Sequence, residues 1–288
     1  MIEITELVGT ALVQDLGRPG MGHLGISPSG AADRTALVDG NTALGNAAGA
    51  AGVELVGSLS LRSDADLLVA VTGAPARVSV GRAAVDPVLV PVPAGALLRI
   101  EPPSWGWRCY LTVAGGLHVP PVLGSAATDT LSGLGPAPIQ AGDRIAVGTD
   151  HGSVPTRDPH RLRHVPDGAL VMLDAGPGPR SDWVRDLPAL FDRPWQVSEL
   201  ADRVGTRLIG QPLTRAITRE LPSEAVVTGS VQLPPNGQPV ILGPDHPVTG
   251  GYPVIAVLTE SAAGALAQAR PGITVRFRRA ADLKGGWI

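Results

Sequence analysis

Gln14, Asp15 and Arg18 fall within one short motif, QDLGRPG, and His23, Ser29 and Asp33 follow soon after it. A guanidinium is a planar fork of N–H donors suited to a carboxylate or phosphate, and a neighbouring carboxylate can orient that fork or accept a proton. Gly17, Gly20, Gly22 and Gly25 let backbone N–H groups come close to a ligand. The cluster nominates Gln14, Asp15, Arg18 and His23 as catalytic and Ser29 and Asp33 as substrate-binding residues. The structural alternative is an Asp15–Arg18 pair that fastens a long loop, with His23 in water.

A second polar cluster is VQLPPNGQPVILGPDHPVTGGYP, at 231–253. Gln232, Asn236, Gln238, Thr249 and Tyr252, with the Gly250–Gly251 backbone, are materials for holding an uncharged polar group and stabilising an oxyanion. Arg203, from ADRVGTRL, joins them as a substrate-binding candidate, and Asp245 is the catalytic candidate. Asn236–Gly237 also reads as a hairpin turn in its own right. Asp245 and His246 would point to opposite faces if they lay on one strand.

Several chemistries lose their usual residues. The chain has one lysine, Lys284, so a Schiff base, a phosphate-cradling loop lysine and covalently attached biotin are not expected. DAGPGPR, at 174–180, has loop glycines but no following Lys-Ser/Thr. His151, His160 and His164 lack the cysteines or helical His-Glu spacing of a metal site. No Gly-x-Ser-x-Gly elbow is present. Cys109, the single cysteine, sits in apolar CYLTVAGG and reads as a buried small hydrophobe. A net charge of −3 with scattered arginines gives no stripe for nucleic acid. MIEITELVGT lacks a basic leader region, and no apolar run approaches the roughly 18 residues that span a bilayer. A cytoplasmic protein with neither nucleic-acid nor membrane partners is expected.

The elements that must position these clusters are mostly strands. With 37 glycines and 28 prolines among short Val/Leu/Ile runs, the 288-residue chain reads as mainly β with a few short helices, an α+β composition. Residues 2–13 read as an edge-like strand pair broken at Gly9. Ser29 is the expected N-cap of a helix ending at Gly45. Short β runs continue to about 147. The polar segment 149–167 then reads as a connector between an N-terminal lobe, 1–160, and a C-terminal lobe, 161–288. In the second lobe, SDWVRDLPALF reads as a short helix from Ser181, WQVSELADRVGTRLIG as strand, turn, strand, and Thr259 or Ser261 as the cap of a last helix. Gly95–Ile100, Gly142–Val147 and Gly272–Phe277 share one pattern: Gly, two variable residues, apolar, variable, apolar. It suits a tight turn feeding a half-buried strand, as in two related β lobes.

Six blocks in order, VQDLGRPG, GISPSGAAD, LTVAGGLHVPPVLGS, ADRVGTRL, LPPNGQPVILG and TGGYPVIA, make the chain resemble the biotin-dependent carboxyltransferase-like family. That family includes the C-type subunit of the ATP-dependent 5-oxoprolinase, allophanate hydrolase subunit 2 and the antagonist of a sporulation kinase inhibitor. The resemblance implies two β-barrel-like lobes of cyclophilin-like type and a B-like partner, with the active site near the surface the partners share. It implies an ATP-driven hydrolase of a cyclic amide, inactive alone, working with B-like and A-like subunits on a small amide. ATP would be handled by the complex, without covalent biotin on this chain. Two alternatives stay open: the carboxyltransferase half of a urea or amide carboxylase (or allophanate hydrolase subunit 2), and a non-catalytic regulator that binds an inhibitor-like B partner. Val254 stands where many relatives have a basic residue, and Thr206 where an aromatic is common.

Overall fold

The computed structural model describes residues 1–149, 152 and 170–280. The expected boundary at 160/161, His151, His160, His164 and Lys284 lie outside the described residues. Strands dominate, with three α-helices among the described residues, Arg34–Ala43, Pro188–Asp192 and Glu260–Ala267. The chain forms two compact units. Among the described residues, the first comprises 1–19, 29–129, 133–149 and 152; the second comprises 20–28, 130–132 and 170–280.

The first unit is built on a ten-stranded sheet whose spine is Ile2–Gln14 paired antiparallel with Gly52–Ser63. Residues 2–13 are therefore not two strands, and the strand is not an edge, because Arg144–Val147 pairs with it at Ile2 and Glu3. Gly9 does not break the strand; it lies opposite Gly57 in the register. A Cβ on Gly9 would sit 2.1 Å from the Val56 carbonyl oxygen, and one on Gly57 2.0 Å from that of Val8. The two glycines, at φ 105° and 113°, permit an approach that any side chain would block. Alternate residues of the two strands, Ile2, Ile4, Val53, Leu55, Leu59 and Leu61, are buried against Val69, Val71, Leu98, Ile100, Leu111 and Val113. Each large aliphatic side chain so buried contributes about 1.5–3 kcal/mol.

The helix Arg34–Ala43 begins later than expected. Asp33 is its N-cap, its side chain accepting from the Ala36 N–H at 3.3 Å. Ser29 lies in the left-handed region at φ 51° and donates from its hydroxyl to the Thr128 carbonyl instead. Asp33 wins because it directly precedes the first helical turn, whereas Ser29 and Gly30 are both left-handed and the chain bends again at Ala32 before the helix starts. The helix stops as expected, with Gly45 at φ 73°.

The second unit closes into a barrel of seven strands, in the order Leu170–Pro177, Val254–Leu258, Ser230–Gln232, Val240–Leu242, Gly205–Ile209, Pro194–Val197 and Thr274–Arg279. Its seam is the parallel pairing of the first strand with the last, from Leu170 opposite Thr274 to Ala175 opposite Arg279. Trp195, Leu208, Val231, Ile241, Ile255, Val275 and Phe277 fill the interior. Thr259 caps the helix Glu260–Ala267 by accepting from the Ala262 N–H at 3.2 Å. SDWVRDLPALF forms a 3-10 turn at Ser181–Trp183 and a separate helix at Pro188–Asp192, since proline is placed at a helix start more readily than inside one. The shared strand-entry pattern is borne out: Gly95, Gly142 and Gly272 are left-handed with open space where a Cβ would go, so conformation and not packing requires glycine there. No helix among the described residues is long and apolar enough to cross a membrane.

Candidate functional site

In the first unit, the strand Ile2–Gln14 delivers its last residue into a buried polar site. Gln14 is fully buried and donates from Nε2 to the Thr128 carbonyl at 2.8 Å. Its Oε1 is buried with no hydrogen-bond partner in the structure. Asp15 turns to the other side and is saturated: Oδ1 accepts from the Gly17 N–H and the Ser125 hydroxyl, and Oδ2 from the Ala126 N–H, each at 2.7 Å. Arg18, 2% exposed, donates from Nη2 to the Ala127 carbonyl at 2.6 Å and makes a long bond from Nε to the Val122 carbonyl at 3.4 Å. Arg18 Nη1 is buried with no partner. Asp15 and Arg18 thus do not pair with each other; both grip the loop Val122–Thr128.

Glycine makes this geometry possible at two positions. Gly17 is left-handed at φ 79°, which turns the chain between Asp15 and Arg18. At Gly30, φ 88°, a Cβ would lie 2.7 Å from the Gly17 amide nitrogen, so the segment after the motif packs backbone to backbone against it. Gln14 Oε1 and Arg18 Nη1 are left as one acceptor and one donor. An amide, itself one donor and one acceptor, is the chemical complement of that pair.

Behind this loop lies a network not anticipated from the sequence. Glu54, buried, accepts from the Ala32 N–H at 2.9 Å, the Tyr110 hydroxyl at 2.8 Å and Arg108 Nε at 3.3 Å. The Tyr110 oxygen in turn accepts from the Asp33 N–H at 2.7 Å. The network fixes Ala32 and Asp33 at the helix start, and the Arg108 guanidinium stacks 3.9 Å from the Trp107 ring centroid. Burial, followed by the charges of Glu54 and Asp33, pushes the Tyr110 hydroxyl well above its ordinary pKa. The visible signal is a glutamate inside the apolar run VELV, because an unpaired charge there would be costly.

The second unit treats its candidates differently. Asp245, fully buried, receives Arg203 in a two-point ion pair, Nε to Oδ2 at 2.8 Å and Nη2 to Oδ1 at 2.9 Å. The Thr130 N–H and hydroxyl also donate to Oδ2, at 2.9 and 2.7 Å. Asp245 and His246 are not on a strand; they follow Val240–Leu242 in a turn, where His246 Nδ1 donates to the Pro247 carbonyl at 2.7 Å. Asn236 is exposed, and its Oδ1 accepts from the Gln238 N–H at 3.0 Å, the bond that shapes the hairpin turn. Gln238 clamps Gly210 by bonds of 2.9 Å to both its N–H and its carbonyl. His23 sits exposed in the turn Gly22–Leu24, with Nδ1 3.0 Å from the Gly20 carbonyl.

Gln232 is buried, and a Cβ on Gly250 would lie 2.4 Å from its Nε2, so the strap passes close over that amide and a side chain at 250 would displace it. Thr249 and Gly250 pair with Glu224 and Ala225, while Gly251 and Tyr252 are exposed beyond them. Of the second cluster, Gln232 with the Thr249–Tyr252 strap therefore has the character of a ligand site. Asn236, Gln238, Arg203 and Asp245 are committed to the fold. The described residues contain no group of three His, Cys, Asp or Glu placed to hold a metal ion.

The carboxyltransferase domain model, subdomains A and B, matches residues 24–279. The chain is 36% identical to the C-type subunit of 5-oxoprolinase from Escherichia coli, covering 96% of this chain and 90% of that one. It is 26% identical to the urea amidolyase of Saccharomyces cerevisiae, covering 96% of this chain and 16% of that protein. The crystal structure of the K. lactis urea amidolyase is similar in fold, with a TM-score of 0.89 at 24% identity over 96% of this chain and 18% of that one. This is the family that the ordered blocks indicate: the chain belongs to the carboxyltransferase domain family, subdomains A and B.

Proposed function

We propose that this chain is the C-type subunit of an ATP-dependent 5-oxoprolinase, which opens the lactam of 5-oxoproline to glutamate in the cytoplasm together with B-like and A-like subunits. The observation that carries this reading is the 36% identity to the C-type subunit of a 5-oxoprolinase, over nearly the full length of both chains. The urea-carboxylating alternative fits less well, because the urea amidolyase match is weaker and covers a small part of a much larger protein. ATP is used by the complex, and this chain carries no covalent biotin.

Amide resonance makes the carbonyl carbon a poor electrophile, so ring opening needs a site that stabilises charge building on the amide oxygen. A lactam ring holds its N–H and C=O on the same side. Gln14 Oε1 accepts from that N–H while Arg18 Nη1 donates to the oxygen, and the carbonyls of the Val122–Thr128 loop fix both side chains through their other polar atoms. Asp15 is a positioning residue for that loop. The Gln232 amide and the Gly250–Gly251 backbone are separate substrate-binding candidates, within the second unit. Copurification of the chain with its B-like and A-like partners, followed by an assay of 5-oxoproline-dependent ATP hydrolysis, tests the proposal. Hydrolysis that requires all three chains is expected; a well-formed complex with no lactam-dependent hydrolysis overturns it.

A further inference from the structure

DAGPGPR ends at Arg180, and the structure gives that arginine unexpected company. The Trp183 ring, buried, has three guanidinium carbons near its centroid: Arg180 at 5.9 Å, Arg215 at 5.7 Å and Arg219 at 5.7 Å. The backbone holds them there. The Ala216 N–H donates to the Trp183 carbonyl at 2.6 Å, the Arg185 N–H donates to Thr214 at 3.0 Å, and Val184 and Arg215 form a bridge. Gly178 and Arg180 are likewise tied to Ile255 and Val254 by their N–H groups.

The charges in this cluster do not balance. Arg180 has a carboxylate partner, Glu224, held through both Nε and Nη2. Among the described residues, neither Arg215 nor Arg219 is within ion-pair distance of a carboxylate, although Asp182 and Glu220 are close in sequence. Arg215 makes one long bond, Nη2 to the Arg219 carbonyl at 3.4 Å, and its Nε is buried without an acceptor. Guanidinium groups crowded on one indole repel one another, and an oxyanion that takes up their open N–H donors removes that cost.

We infer that Arg215 and Arg219, with Arg180 behind them and Trp183 as the wall, form a binding site for a small oxyanion, a phosphoryl or carboxylate group. Its position gives it a use: Glu224, the partner of Arg180, is paired in register with Gly250 of the glycine strap. Glu224 occupies one of the three arginines and repels an incoming anion. The site is therefore tuned down by a carboxylate of the protein itself. This inference is independent of the 5-oxoprolinase reading, since it concerns binding to the chain alone.

Calorimetric titration of the full chain at low salt tests it, with inorganic pyrophosphate and 5-oxoproline as separate probes. One saturable site for either probe is expected. Arg215→Gln combined with Arg219→Gln should weaken it at least tenfold, Glu224→Gln should tighten it, and Arg82→Gln, an exposed arginine of the first unit, should leave it unchanged. Preference for pyrophosphate identifies a phosphoryl source, and preference for 5-oxoproline a carboxylate source. The inference is overturned if neither probe saturates, if Arg82→Gln weakens binding as much as the double variant, or if Glu224→Gln weakens it with folding intact by circular dichroism.

Discussion

The QDLGRPG loop of the first unit and the PPNGQPVILGPDH segment of the second both set amides and charged groups among glycines and prolines, and they differ in how much hydrogen-bonding capacity the fold consumes. Asp245 accepts two bonds from Arg203 and two from Thr130, and Gln238 spends both ends of its amide on Gly210. Gln14 and Arg18, just as buried, each keep one polar atom that no protein group satisfies. The difference teaches that residue type locates polar segments, while unspent donors and acceptors separate a site from a strut. Leaving such groups buried costs about 1–3 kcal/mol each, a cost that a bound ligand or an ordered water offsets.

Four experiments break or sharpen that contrast. The largest effect is expected from Asp245→Ala, which strands the buried Arg203 charge: unfolding by denaturant should show a loss of about 3–5 kcal/mol. An Asp245→Ala protein of unchanged stability but no activity in the complex would reverse the assignment. Arg18→Lys keeps the charge but loses the fork, and should lower turnover of the assembled complex by about 10²-fold. Retained loop contacts, read from hydrogen exchange at Ala126 and Thr128, would separate that chemical loss from unfolding.

The third effect is alkaline. The Tyr110 hydroxyl titrates well above its ordinary value of 10.0 in the folded chain because it is buried near Glu54 and Asp33. Its contribution is full below that value. As pH rises past it the unfolded chain releases the proton first, so stability falls. Tyr110→Phe should flatten this part of the pH–stability curve, and an identical slope in the variant would remove Tyr110 as its source. The smallest effect belongs to Asn236→Ala, which removes a turn bond on the surface: less than about 1 kcal/mol of stability and no change in turnover. A large loss of turnover there would return Asn236 to the site.

The strand-rich class, the turn glycines before three strands and the Thr259 cap were legible because each depends on residues near in sequence. Gly9 misled as a strand break, since its reason, the Gly57 backbone opposite it, is nearly fifty positions away. Ser29 misled as a cap for a related reason: its hydroxyl is taken by Thr128, which local spacing does not show. The site was legible as to segment but not as to role. Asp15 and Arg18 read as a pair, yet each is used by the Val122–Thr128 loop, a hundred residues downstream. Trp183 and two of its arginines come from two segments joined by the Val184–Arg215 bridge, outside the barrel strands, and no spacing rule joins them.

The parallel seam between Leu170–Pro177 and Thr274–Arg279 bears on how the protein is made. During synthesis the opening strand of the barrel leaves the ribosome long before its lateral partner, and Pro194–Val197 waits for the same closing segment. For that interval two apolar strands expose open edges, the condition that invites misassociation. The last strand acts as a latch, and a nonsense mutation just before Ile273 would leave a nascent chain fit for chaperones and proteases.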